Sequence, residues 1–153
     1  MLARKAHMED AEVACLVVRR SITELCAADH KGDARTLDLW LANKTAENMR
    51  RWINQHHVFV AIEGAQIFGV GAIMSSGEII LNYVSPEARF RGVSKGLITR
   101  LEAQAADLAV DMITLQSTAT ARRFYLSAGY KETGPPTKGF GITFGYPMAK
   151  ALR

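Results

Sequence analysis

Hydrophobic residues follow two different periods along the chain, and the change of period separates helical from strand-forming parts. From Ala11 to Leu25 apolar residues recur every three or four positions, which predicts a helix with one buried face. Apolar residues around Trp40, and again around Met49 after an N-capping Thr45, predict two shorter helices. The period then becomes two, which predicts three strands joined by tight turns, an antiparallel meander, at residues 57–62, 66–74 and 78–84.

The remaining segments complete an alternating pattern of strands and helices. Residues 2–6 predict a first strand, and Pro147 places the last strand at a sheet edge. After residue 84 the pattern predicts a basic loop, a long helix, a strand at 112–116, a helix over 118–130 that stops at Gly129, a loop over 131–139 and closing strands within 140–150. The alternation of these strands and helices predicts a mixed α/β fold in a single domain, 1–153.

Composition narrows the class of protein and of partner. The 153 residues are 48% hydrophobic and 22% charged, as in ordinary globular domains. The chain contains no apolar run of about 18 residues, so we expect no membrane span. Its first ten residues lack the apolar stretch of a secretory signal, so we expect a cytoplasmic protein. The net charge of +4 favours an anionic partner, and nucleic acid, anionic lipid and a phosphorylated cofactor all meet that description.

Neither cysteines nor histidines predict a disulfide or a metal site. Cys15 and Cys26 lie in one helical pattern, about 16 Å apart by helix rise, whereas a disulfide needs Cα atoms within about 7 Å. We therefore predict two buried thiols. His56 and His57 are adjacent at the start of a strand, where neighbouring side chains point to opposite faces, so we expect no metal.

The segment Arg89 to Leu97, RFRGVSKGL, fits two kinds of site. Its Gly-x-Ser-x-Gly core is that of a hydrolase nucleophile elbow, and also that of a glycine-rich turn that binds phosphate at a helix start. A hydrolase elbow follows a strand and precedes its histidine, whereas here the preceding residues are polar and all four histidines come before Ser94. Gly92, Gly96 and the nearby cations therefore favour the phosphate-binding turn.

This loop and a later segment together resemble the GNAT family of acetyl-CoA-dependent N-acetyltransferases. The family's pyrophosphate loop is Q/R-x-x-G-x-G/A, and this chain has Arg89-x-x-Gly92-x-Ser94. The family's A-x-x-F-Y-x-x-x-G-F/Y segment is matched in full by Ala121 to Tyr130. The chain departs from the family at Ser94, where a smaller residue is usual, and at Thr118, where an asparagine is frequent. The resemblance extends over nearly the whole chain.

The resemblance implies a fold, a cofactor and a catalytic acid. The expected fold is a central, mostly antiparallel sheet flanked by helices and splayed between the fourth and fifth strands, with pantetheine in the gap. Tyr125 is expected to protonate the CoA thiolate as general acid, and a backbone N–H near Tyr83 or Val84 to polarise the thioester. The residues expected to bind acetyl-CoA are Tyr83, Val84, Arg89, Arg91, Gly92, Val93, Ser94, Lys95, Gly96, Thr118 and Arg122.

The acceptor side is less defined by the sequence. Glu78 is the residue expected to act as base, and Asp29, His30 and Asn82 are expected near the acceptor. The acceptor is expected to be a small-molecule or protein amine, with no nucleic acid or membrane partner, and edge strands near the C-terminus are compatible with a homodimer. Two alternatives stay open: a non-catalytic acyl-CoA-binding or regulatory module on the same fold, and an acetyltransferase for an RNA-borne amine.

Overall fold

The computed structural model describes residues 1–152, which form one central sheet with helices on both faces. The strands are β1 Leu2–Lys5, β2 His57–Glu63, β3 Gln66–Ile73, β4 Glu78–Val84, β5 Met112–Ser117, β6 Lys131–Glu132, β7 Thr137–Lys138 and β8 Phe144–Ala151. The α-helices are α1 Ala11–Leu25, α2 Ala27–His30, α3 Ala34–Leu41, α4 Ala46–Gln55, α5 Val93–Asp107 and α6 Arg122–Ser127, and short 3₁₀ helices span Met8–Asp10 and Pro86–Ala88. Within these residues no helix is both long enough and apolar enough to cross a lipid bilayer.

The sheet has the order β1-β2-β3-β4-β5-β8-β6, with β7 also paired to β8. Its pairs are antiparallel except for β4 and β5, which run parallel. Alternation along β2 divides the core, because Val58 and Val60 pack under α1 and α4 whereas Phe59 and Ala61 pack under α5. The mostly antiparallel α/β fold expected from the sequence is confirmed, and the predicted meander corresponds to β2, β3 and β4.

The expected splay occurs at the parallel pair. β4 and β5 are in register only at Glu78↔Thr114 and Ile79↔Leu115. Beyond Ile79 the two strands diverge, so the free edge of β4 faces a gap in the middle of the sheet. This gap lies beside the N-terminus of α5, which follows β4 after a short loop.

The closing part of the chain differs from the sequence prediction. The helix predicted over 118–130 spans only Arg122–Ser127, because the Thr118 hydroxyl accepts a hydrogen bond from the Ala121 N–H (3.0 Å) and so forms a turn before the helix. The loop predicted over 131–139 contains β6 and β7, which pair with β8.

The edge position predicted from Pro147 is wrong, because β8 lies between β5 and the short strands β6 and β7. Pro147 pairs with Gln116 of β5, and on its other side its carbonyl accepts from Thr133 N–H (3.0 Å). The missing proline N–H faces that same outer side, where β6 has ended and β7 has not begun. A break in the outer strand therefore accommodates a proline inside a sheet.

Helix α5 approaches the sheet closely because β3 carries glycines beneath it. A Cβ at Gly69 would lie 2.7 Å from Val93 Cγ1 and 2.9 Å from Leu97 Cδ1. Val93 is the first residue of α5, and its branched side chain has little freedom to move away. Gly69 therefore fixes the height of the N-terminus of α5 above the sheet.

We expect Gly69→Ala to lower the free energy of unfolding by about 1–3 kcal/mol, the usual cost of overpacking a tight core. Gly96→Ala is the matched control, because a Cβ there meets no atom within 4 Å. In the helix interior alanine is favoured over glycine by up to about 1 kcal/mol, so the control variant gains stability. Urea unfolding measures both, and equal stability of the two variants would contradict close packing at Gly69.

Lys44, between α3 and α4, is a buried cation whose ammonium forms its hydrogen bonds with uncharged oxygens. Its ammonium donates to Asn43 Oδ1 (2.6 Å) and lies 5.4 Å from the centre of the Phe140 ring. Burial lowers the pKa of Lys44 to about 8 from an ordinary value of 10.5. At pH values between these two pKa values, Lys44 binds more protons in the unfolded chain than in the folded protein. The free energy of unfolding therefore increases as pH rises through this range.

We therefore expect the free energy of unfolding of the wild type, relative to Lys44→Met, to rise between about pH 8 and pH 10. The variant itself is expected to be the more stable protein at pH 7, because it buries no charge. Urea titrations at several pH values measure the difference. Lys138→Met, at an exposed position of β7, is the control and keeps the wild-type profile. Parallel curves for wild type and Lys44→Met would contradict the prediction.

Candidate active site

A cavity of about 340 Å³ occupies the gap between β4 and β5. Its walls come from β4, the loop before α5, the first turn of α5, the segment 115–121, and the C-terminal part of α1. Ten of the residues expected at the site line it: Asn82, Tyr83, Val84, Arg89, Gly92, Val93, Ser94, Lys95, Thr118 and Tyr125. The divergence of two strands thus brings together residues from distant parts of the chain.

The first turn of α5 forms one end of the cavity. Gly92 is the N-cap and has φ +78°, a left-handed conformation that glycine adopts without strain. The Gly96 N–H is bonded to the Gly92 carbonyl (3.0 Å), whereas the three preceding N–H groups have no carbonyl one turn back in the helix. Ser94 and its neighbours Val93 and Lys95 therefore present backbone donors at the positive end of a helix of 15 residues.

The charged residues that line the cavity are Arg89 and Lys95, both at this end. Arg91 lies outside the lining, where it pairs with Glu63 (2.8 Å) and lies over the Phe68 ring. Arg122 is also outside the lining, and it pairs with Glu132 and lies over the Tyr146 ring. The cavity therefore combines helix N–H donors with two cations, a combination suited to an anionic group.

Tyr125 reaches the cavity from α6 and is 6% exposed. Its ring packs edge-on against Tyr130, and its hydroxyl oxygen accepts a hydrogen bond from Asn82 Nδ2 (3.2 Å). Burial raises the pKa of Tyr125 to about 12, and the Asn82 bond opposes this by lowering it. The hydroxyl is therefore protonated at neutral pH and can donate that proton to an anion in the cavity.

The free edge of β4 supplies a further backbone donor. Ser85 N–H bonds to Phe68 O of the β3 segment (2.8 Å). Because N–H groups alternate between the two edges of a strand, the Val84 N–H lies on the opposite edge, toward the gap. Tyr83, beside it, is held neutral because burial raises the pKa of its hydroxyl.

Other residues expected at the site are held elsewhere. Glu78 begins β4 at the end where that strand still pairs with β5, outside the cavity lining. His30 is buried under α1, where Nε2 lies 3.1 Å from the carbonyls of Ile22 and Thr23 and Nδ1 accepts from Gly32 N–H. The His30 imidazole is therefore the Nε2-protonated tautomer and has both nitrogens occupied.

Asp29 connects two walls of the site rather than lining it. Its carboxylate accepts from the N–H groups of Ala119 (2.7 Å) and Thr120 (3.2 Å), and from the Thr120 hydroxyl (2.5 Å). These bonds attach α2 to the segment that leads into α6.

Residues 1–152 contain no group of three or more metal-ligating side chains suited to a metal ion.

Several cavity residues were not predicted from the sequence as site residues. Ser21, Leu25 and Cys26 form the wall contributed by α1, and Gln116 and Phe124 lie opposite them. Burial raises the pKa of the Cys26 thiol to about 12, so the thiol is neutral, in agreement with the predicted buried thiol. The apolar period of α1 did not mark Ser21, Leu25 or Cys26 as cavity residues, because the same pattern describes any helix packed on a sheet.

Comparison with known proteins identifies the class of enzyme. The sequence profile described as an acetyltransferase (GNAT) domain matches residues 26–152. The chain therefore belongs to the GNAT acetyltransferase family. A search of curated proteins gave no match.

Solved structures of the same fold cover the whole chain. A GCN5-related N-acetyltransferase from Rhodopseudomonas palustris has a TM-score of 0.89 and 21% identity, covering 99% of this chain and 95% of its own. PaiA N-acetyltransferase from Thermoplasma acidophilum, solved with coenzyme A, has a TM-score of 0.81 and 19% identity over 99% and 98% of the two chains. An aminoglycoside 6'-N-acetyltransferase complexed with coenzyme A has a TM-score of 0.77 and 16% identity over 100% and 98%.

Proposed function

We propose that this protein transfers the acetyl group of acetyl-CoA to a primary amine by direct attack. The observation that carries the proposal is a single cavity that joins a cationic helix N-terminus to a buried, protonated tyrosine. Family membership and the coenzyme A bound to two proteins of the same fold support the identity of the cofactor.

In this proposal the diphosphate of acetyl-CoA binds the N–H groups of Val93, Ser94 and Lys95. Gly96 N–H is already bonded to Gly92, so Gly96 contributes space rather than a donor. Arg89 and Lys95 add charge, while the paired Arg91 and Arg122 contribute to binding only after leaving Glu63 and Glu132. The pantetheine arm lies along the free edge of β4 and ends beside Thr118 and Tyr125.

The chemistry follows from the groups at that end. The amine nitrogen attacks the thioester carbonyl carbon, and the developing oxyanion accepts a hydrogen bond from Val84 N–H. The C–S bond then breaks and the CoA sulfur takes the proton of Tyr125. The attacking nitrogen loses its extra proton as the amide forms, and solvent passes that proton to the phenolate. The products are the acetylated amine and CoA with a free thiol.

The proton released by the incoming ammonium needs a separate route. Because the cavity lining is neutral apart from Arg89 and Lys95, we propose that water carries this proton out. Glu78 would have to receive this proton through a chain of water molecules, because Glu78 lies at the start of β4, outside the cavity lining. Because this lining offers no base for the ammonium proton, a second candidate function is an acyl-CoA-binding module without catalysis.

The acceptor is proposed to be a small-molecule or protein amine that enters along the wall formed by Ser21 and Leu25. We further propose that the single domain acts in the cytoplasm without nucleic acid or membrane partners, and that a homodimer is compatible with its fold.

Two assays test the proposal. Acetyl-CoA at one hundred times its Kd is expected to stabilise the protein by about 2.7 kcal/mol in thermal unfolding. A panel of amines is then screened for release of free thiol from acetyl-CoA. Absence of stabilisation would contradict both candidate functions, whereas stabilisation without thiol release for any amine would leave the binding module.

A further inference from the structure

Asn82 joins the middle of β4 to α6 across the gap. It lies 43 positions before Tyr125, and its amide nitrogen is 3.2 Å from the Tyr125 hydroxyl oxygen. Within residues 1–152 the Tyr125 hydroxyl has this one hydrogen bond. The phenol ring also packs edge-on against the rings of Phe124 and Tyr130, at centroid distances of 5.2 and 5.6 Å.

The orientation of the Asn82 amide decides where the phenol proton points. As placed, Nδ2 donates to Tyr125 while Oδ1 is buried without a partner in the described chain. Turning the amide over would make Tyr125 the donor and would bury both N–H bonds of Nδ2 unpaired. A buried unpaired N–H is rarer than an unpaired C=O, so the donating orientation is the favoured one. The phenol oxygen is then an acceptor toward Asn82, and its own proton is free to point into the cavity.

The unpaired Oδ1 makes this arrangement unfavourable for folding. A leucine of similar size at position 82 would remove this unpaired oxygen, and it would leave the Tyr125 hydroxyl to the cavity without its Asn82 partner. An asparagine that destabilises the fold at a position beside a reactive hydroxyl is typical of residues retained for activity.

We propose that Asn82 is a positioning residue, whose amide holds the Tyr125 oxygen and so directs the phenol proton toward the sulfur of the cofactor. The inference rests on the proposed function, because it requires the CoA sulfur to lie beside Tyr125. It also assigns to Asn82 a role different from contact with the acceptor.

Binding of CoA and of desulfo-CoA, which lacks the sulfur, tests the inference without catalysis. Calorimetry at pH 9, where about half or more of a free thiol is ionised, compares wild type, Asn82→Leu, Tyr125→Phe and the double variant. The wild type is expected to prefer CoA by about tenfold, because the phenol donates to the thiolate. Asn82→Leu loses most of that preference, and the double variant matches Tyr125→Phe, because the effect of Asn82 operates through the hydroxyl.

A second readout separates positioning from a structural role. Asn82→Leu is expected to unfold at the same or a higher temperature than wild type while its kcat falls about tenfold or more. Asn82→Ala, which adds no bulk, takes its place if the leucine variant does not fold. An unchanged preference of Asn82→Leu for CoA over desulfo-CoA would overturn the inference and leave the proposed function intact. The same holds if replacing Asn82 lowers the preference equally in the wild type and in Tyr125→Phe. If neither CoA nor desulfo-CoA binds any variant, the inference and the proposed function are both overturned. If CoA binds but no amine is acetylated, only the proposed catalysis is lost, because the binding comparison still reports on Asn82.

Discussion

Tyr125→Phe is expected to lower kcat by about 100- to 10,000-fold, the usual contribution of a general acid, while the KM for acetyl-CoA changes little. The substitution removes only the hydroxyl that we propose as the proton donor, and the ring that packs against Tyr130 is retained. The thiolate would then have to leave without a proton, which affects the transition state and not the bound substrate. Steady-state kinetics with an amine identified in the thiol-release screen provides the measurement.

Tyr130→Phe is the matched control for this prediction. Tyr130 is another buried tyrosine of the same core, and its hydroxyl donates to Glu102 (2.8 Å) rather than facing the cavity. Its loss is expected to destabilise the fold by about 1.5–3 kcal/mol, as for a hydrogen bond to a charged group, because Glu102 also forms an ion pair with Lys150. The kcat is expected to stay unchanged. Equal kcat for wild type and Tyr125→Phe would remove Tyr125 from the acid role.

Ser94→Glu is expected to affect binding and stability in opposite directions. The new carboxylate lies in the first turn of α5, where an acid stabilises a helix by about 0.3–1 kcal/mol. The same carboxylate faces the position proposed for the diphosphate, and like charges in contact cost several kcal/mol. The Kd for acetyl-CoA should therefore rise by about 100-fold or more, since each 1.4 kcal/mol is about tenfold.

Ala103→Glu serves as the control for the charge alone. Ala103 is exposed on the same helix, nine residues further on, or about 13 Å by helix rise. At physiological salt a charge at that distance is largely screened, because the Debye length is about 8 Å. Calorimetry and urea unfolding measure the two effects. Equal acetyl-CoA affinity in the two variants would place the diphosphate somewhere other than the first turn of α5.

The sequence predicted most of the fold because its signals were local. The period-two segments identified β2, β3 and β4, and the spacing of apolar residues identified α1 and α5. It failed where an interaction with a distant segment decided the structure. Pro147 lies inside the sheet because the outer strand is interrupted beside it, and a single-residue rule cannot contain that information.

The candidate site was predictable to the extent that its residues are contiguous. The loop from Arg89 to Gly96 carries its own glycines and cations, and Tyr125 lies in a matched family segment. The pairing of Arg91 with Glu63 depends on side chains from another strand, so the sequence could not show that this cation is already occupied. The wall formed by α1 was missed for the same reason, since its residues share the pattern of an ordinary buried helix face.

The attachment of α2 to the segment before α6 sets a limit on how the acceptor range of this enzyme can be engineered. Three bonds to the Asp29 carboxylate hold the two sides of the cavity at a fixed separation. Substitutions at Ser21 or Leu25 reshape one side and leave that separation intact. A change at Asp29 would instead release the segment that leads into α6 and Tyr125. Selection for a bulkier acceptor in the proposed reaction should therefore spare this residue, although it lies outside the cavity lining.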